Sequence, residues 1–198
     1  MRTRLTVAAA LLAAILVVPS TGSGSGTISC GVPPKQPVWI DFADHAVSFW
    51  RERFARPGVV VATGGPDIAR EAREAGAASV HWDMHLNKRV GTPSTPADPE
   101  LIEARADKFL DYAISVTGCQ RPLIALNELS GASLPAPLTP NVERYRDNVL
   151  RFVTRLSQRG ARPALLLPNE PFLGGGADEW WRTVAQQSDL VLQKYPSA

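Results

Sequence analysis

Short apolar runs alternate along this chain with segments whose apolar residues recur every three or four positions. The runs fall at residues 38–42, 59–63, 78–85, 123–127 and 164–167. Continuous apolar character, as in Val59-Val60-Val61 and Leu165-Leu166-Leu167, predicts strands buried on both faces, as in a parallel sheet covered by helices. Between them, Asp98-Pro99 opens a helix whose buried stripe is Ile102, Ala106, Phe109, Ala113 and Val116, closed by Gly118. Thr139 caps the next, with Pro140 in its first turn, Val142, Tyr145, Val149, Phe152 and Leu156 on one face, and Gly160 beyond its end. Shorter helices are expected at 46–54, at 66–75 and from 178 to about 194. The last could instead end near Ser188, with a sixth strand from Leu190; the helix is preferred because Trp181, Val184, Ser188 and Val191 keep helical spacing.

The order is therefore β-α repeated about five times, which demands parallel strands and right-handed crossovers. An open doubly wound sheet and a (β/α)8 barrel both satisfy it. Two observations favour an α/β fold of TIM-barrel type, here incomplete. Polar residues cluster at the ends of strands: Asp41, His81 and Asp83, Asn127 and Glu128, Asn169 and Glu170, the rim where a barrel assembles its site. No strand-turn-helix carries a G-x-G-x-x-G or P-loop sequence, so no nucleotide cofactor is expected, and the motifs call for no other. From about Cys30 roughly 170 residues remain, against the roughly 250 of a complete barrel.

The first 26 residues stand apart. Arg2 and Arg4 precede an uncharged run at 5–18, and Pro19 leads into Ser/Gly-rich sequence. That is the layout of a secretory signal peptide and linker, and the run is shorter than the roughly 20 residues a membrane helix needs. The expectation is an exported, secreted domain over 27–198 with no membrane contact after cleavage. Loss of the two arginines leaves 19 basic against 19 acidic residues, and no Lys/Arg stripe interleaves with aromatics, so nucleic acid is excluded as a partner. In an oxidising compartment Cys30 and Cys119 are expected to form one disulfide at the N-terminal pole of the barrel. Lipidation of Cys30 is the weaker reading, because Thr27-Ile28-Ser29-Cys30 matches a lipoprotein site poorly.

Asn127-Glu128 closes the fourth strand, and "RPLIALNEL" at 121–129 is echoed by "RPALLLPNEP" at 162–171. On these residues the chain resembles the TIM-barrel glycoside hydrolases whose fourth strand ends in Asn-Glu. The resemblance implies cleavage of O-glycosidic bonds in a carbohydrate substrate. It makes Glu128 the general acid/base and Asn127 the partner of the sugar 2-hydroxyl. It also implies a second glutamate, the nucleophile, on strand seven, which lies past Ala198; the sequence is read as the N-terminal part of such a barrel, an active glycosidase if the chain continues or is completed. The chemistry needs two carboxyl groups, one protonated to release the leaving group and one ionised to attack. Glu170 ends the adjacent fifth strand and is assigned, with Asn169, to substrate binding.

The third strand offers a rival in "HWDMH". Alternation puts His81, Asp83 and His85 on one face, a set that would suit a metal-dependent hydrolase. The reading preferred to a metal gives Asp41, His81 and Asp83 to sugar hydroxyls, with Trp82 or Trp39 as a stacking platform. Of Trp180 and Trp181, one should face the core and the other flank the groove. A non-catalytic carbohydrate-binding barrel remnant remains the second alternative, and the oligomeric state stays open.

Overall fold

The computed structural model describes residues 38–40, 56–83, 85–127, 129, 137–167, 174 and 177–192. Six strands form one sheet: β1 (Val38–Ile40), β2 (Val60–Thr63), β3 (Ala78–Asp83), β4 (Leu123–Leu126), β5 (Arg162–Leu167) and β6 (Asp189–Leu192). Their spatial order is their chain order, and every neighbouring pair is parallel. A doubly wound sheet reverses direction at a switch point; consecutive order without reversal is the winding of a (β/α)8 barrel. The fold is thus α/β of TIM-barrel type, with six strands among the described residues.

Among the described residues five helices lie between them: α1 (Pro66–Glu74), α2 (Leu86–Val90), α3 (Ile102–Thr117), α4 (Pro140–Gln158) and α5 (Ala177–Gln187). Their ends follow local chemistry. Thr139 Oγ1 accepts from the Val142 N–H at 3.3 Å, satisfying a donor that the first turn leaves orphaned. Asp98 does the same for Glu100 N–H and starts the single 3₁₀ turn that leads into α3. Gly118 ends α3 at φ 69°, in the left-handed region where a side chain is strained, and its N–H returns to the Ile114 carbonyl.

Alternation along each strand divides the core in two. Val60, Ala62, Ala78, Val80, Trp82, Ala125 and Leu166 cluster on one face of the sheet, the side that becomes a barrel interior. On the other face Ile124, Leu126, Leu165 and Leu167 meet Phe109, Tyr145, Phe152 and Leu156 of the helices. Each such side chain contributes roughly 1.5–3 kcal/mol on full burial, so the layer of α3 and α4 is a substantial stabilising contact. Its outer seam is electrostatic: Asp107 accepts from Arg155 Nε and Nη2, both at 2.8 Å, and from Arg159 Nη1 at 2.7 Å. Those donors hold the Asp107 carboxyl down at about 2.

One buried amide fastens the loop between α2 and α3. Asn148 of α4 donates from Nδ2 to the Val90 carbonyl at 3.0 Å and to the Ala97 carbonyl at 2.9 Å. The same loop closes through Gly91 at φ 87°, where a Cβ would stand 2.2 Å from Ala97 N. No other residue type fits that crossing.

Three sequence expectations change. The helix expected to run to about residue 194 stops at Gln187, and the chain enters β6, pairing Leu190 with Leu165 and Val191 with Leu166. An unpaired β5 edge and a run of Leu190-Val191-Leu192 favour the ladder over another helical turn. The third strand ends at Asp83, two residues short of His85, which becomes the cap of α2, a helix absent from the pattern reading. Trp181 is buried as expected, but Trp180 does not flank a groove: its Nε1 donates to the Arg146 carbonyl at 3.2 Å and the Arg146 guanidinium covers its ring. The expected helix at 46–54 and the leader at 1–26 lie outside the described residues. Among those described, no helix is long and apolar enough to cross a membrane.

Candidate functional site

The polar residues of β3 owe their positions to strand alternation. Trp82 belongs to the inner-face cluster and is only 2% exposed, too buried to serve as the expected stacking platform. His81, on the opposite face, meets the rings of Phe109 at 5.3 Å and Tyr112 at 5.5 Å. Asp83 shares its parity with His81. These two side chains therefore lie on the helix-facing side of β3, the side of α3.

The pair is nevertheless a chemical site. His81 is 2% and Asp83 4% exposed. Asp83 Oδ1 accepts from the His85 backbone N–H at 3.2 Å and faces Arg89 Nη2 at 3.5 Å. Asp83 Oδ2 and His81 Nδ1 are buried with no hydrogen-bond partner. Burial pushes the His81 pKa down to about 4; Asp83 opposes this, Arg89 adds to it, and a hydrogen bond to the Thr63 backbone opposes it. A cavity of about 320 Å³ is lined by His81, Trp82 and Asp83 together with Gly64, His85, Arg89 and Tyr112.

Metal ligation does not follow from this geometry. Among the described residues no group of three or more His, Cys, Asp and Glu is placed to hold an ion. His81, Asp83 and His85 were a ligand set only while all three lay on one strand; His85 instead caps α2 as an exposed residue.

The second candidate lies one strand away. Asn127 directly follows β4, is half-buried, and donates its backbone N–H to the Asp83 carbonyl at 2.9 Å. Alternation assigns it the inner-face parity of Ala125. It thus stands at the C-terminal edge of the sheet, level with the end of β3. Glu128, Asp41, Asn169 and Glu170 lie outside the described residues, as does Cys30. Cys119 is buried and is not a free thiol.

Sequence reasoning missed the cationic and aromatic wall of the β3 cavity. Arg89 sits on a short helix with no periodic signal, and Tyr112 lies off the buried stripe of α3. The available signal was the spacing of Arg105, Lys108 and Tyr112, three and four apart, on one flank of that helix, where Arg105 and Lys108 line an adjoining cavity with Arg89 and Tyr112.

No protein-family model matches the chain, and no curated protein matches it. Among solved structures it is similar to a xylose isomerase domain protein from Planctomyces limnophilus, at 15% identity and a TM-score of 0.45. The likeness covers 79% of this chain, which spans 62% of that one.

Proposed function

We propose that this chain is the carbohydrate-active part of an exported glycoside hydrolase, with Glu128 as general acid/base. The observation that supports the reading is the place of Asn127. It is the first residue beyond β4 in a sheet of consecutive parallel strands, at the edge where barrels assemble their sites. In the glycoside hydrolase clan that the sequence resembles, Asn-Glu occupies this same point. Asn127 then holds a sugar hydroxyl, and Glu128 protonates the departing glycosidic oxygen before activating water.

The remaining rim assignments belong to this proposal: Asp41, Asn169 and Glu170 as contacts to further hydroxyls, a leader removed on export, and a Cys30–Cys119 disulfide beneath the sheet. Hydrolysis of oligosaccharides by the full-length protein, compared with Glu128→Gln, tests it. The variant is expected to bind oligosaccharide as the parent does and to lose turnover. Unchanged turnover would remove Glu128 from the mechanism. Binding without hydrolysis in the parent itself would favour the non-catalytic carbohydrate-binding reading.

A further inference from the structure

The flank of α3 turned toward α2 carries an unneutralised positive charge. The acids of α3 lie elsewhere: Asp107 and Asp111 pair with Arg155 and Arg159 of α4, and Glu103 acts on Arg155. Arg70, Arg162 and Arg182 also have carboxylate partners. Among the described residues Lys88, Arg105 and Lys108 have none. These three, with Arg89, Phe109 and Tyr112, wall a cavity of about 540 Å³ that contains no carboxylate in its lining.

The wall is built, not a chance of side-chain drift. Arg105 Nη1 donates to the Arg89 carbonyl at 2.9 Å, tying α3 to α2. The Arg89 guanidinium lies 4.8 Å over the Phe109 ring, with its Nε buried and without a partner. Tyr112, 46% exposed, bridges to the Gly64 carbonyl through its hydroxyl at 3.4 Å. Arg89 and Tyr112 also wall the neighbouring cavity of about 320 Å³, so the two cavities adjoin at these side chains, one end of the groove lined by cations and the other by His81 and Asp83.

The two ends of that groove ask for different groups. A cavity lined by a carboxylate and an imidazole suits hydroxyl groups, and clustered guanidinium and ammonium groups favour an oxyanion. We propose that the groove binds a small hydroxylated anion, a sugar acid or sugar phosphate. Its oxyanion sits among Lys88, Arg105 and Lys108, its ring lies against Tyr112, and its hydroxyls face the cavity that His81 and Asp83 line. The site lies on the helix-facing side of β3 and stands whether or not Glu128 is catalytic.

Calorimetric titration of the full chain with glucuronate, glucose 6-phosphate, glucose and inorganic phosphate tests it. At least one of the two anionic sugars should bind at least tenfold more tightly than glucose and than inorganic phosphate. Glucuronate alone would identify a carboxylate ligand, glucose 6-phosphate alone a phosphate ester, and both the shared chemistry. Lys108→Glu reverses one exposed charge and should weaken that binding tenfold or more. Binding by neither anionic sugar, equal binding of glucose or inorganic phosphate, or unchanged affinity in the folded Lys108→Glu protein would overturn the proposal.

Discussion

Acidification should expose the burial of His81. In the folded chain burial outweighs the neighbouring Asp83 and holds the imidazole at about 4, against an ordinary 6.5. Below pH 6.5 the unfolded chain therefore takes up a proton that the folded chain refuses. Stability from this group is complete above 6.5 and is lost as pH falls toward 4. The interval is worth at most about 1.4 kcal/mol per pH unit, so roughly 3 kcal/mol in all. That is a substantial part of the roughly 5–15 kcal/mol of a typical domain. Asp107 leaves the window clear: its carboxyl titrates at about 2, below the ordinary 3.8, so its contribution fades only at still lower pH. Urea unfolding between about pH 7 and pH 4.5, run in parallel on the parent and His81→Gln, isolates the term. Glutamine keeps an N–H for the Thr63 backbone but does not titrate. The parent should lose about 2 to 2.5 kcal/mol more than the variant across this range; parallel curves would refute the argument.

One further outcome follows from the packing and one from the proposed disulfide. Asn148→Ala removes both hydrogen bonds to the 90–97 loop and strands the Ala97 carbonyl. It should cost about 2 to 3 kcal/mol by urea midpoint, whereas a change below about 0.5 kcal/mol would show the bonds to be idle. Peptide mapping without reductant should recover Cys119 joined to Cys30, and reduction should cost about 3 to 5 kcal/mol by releasing a long closed loop; recovery of two free thiols would contradict the pairing.

The extent to which the chain could be read depended on how far each signal was local. Helices α3 and α4 were legible because capping and a repeating apolar stripe coincide: Asp98, Pro99 and Gly118 bracket one, and Thr139, Pro140 and Gly160 the other. Parallel pairing followed from β-α alternation, and the structure adds the consecutive spatial order that alternation alone leaves open. The end of the chain was not legible, because Trp181, Val184, Ser188 and Val191 fit a helix as well as they fit a helix followed by a strand. Only the partner edge of β5 decides between them. Residue parity was visible in β3, but the sign was not: alternation groups His81 with Asp83 without saying which face holds the helices. Trp82, the residue that looked most suited to a sugar, took the inner face and was buried there.

The role of Glu128 is tested most directly by the dependence of hydrolysis on the leaving group. A general acid matters in proportion to the basicity of the oxygen it protonates, and such catalysis typically contributes about 10²–10⁴-fold. Aryl glycosides spanning acidic to weakly acidic phenols should be compared in the parent and Glu128→Gln. Loss of kcat/KM in the variant should be slight for the most acidic phenol and grow to about 10²-fold or more for the least acidic. An equal loss across the series, or none, would contradict Glu128 as the acid.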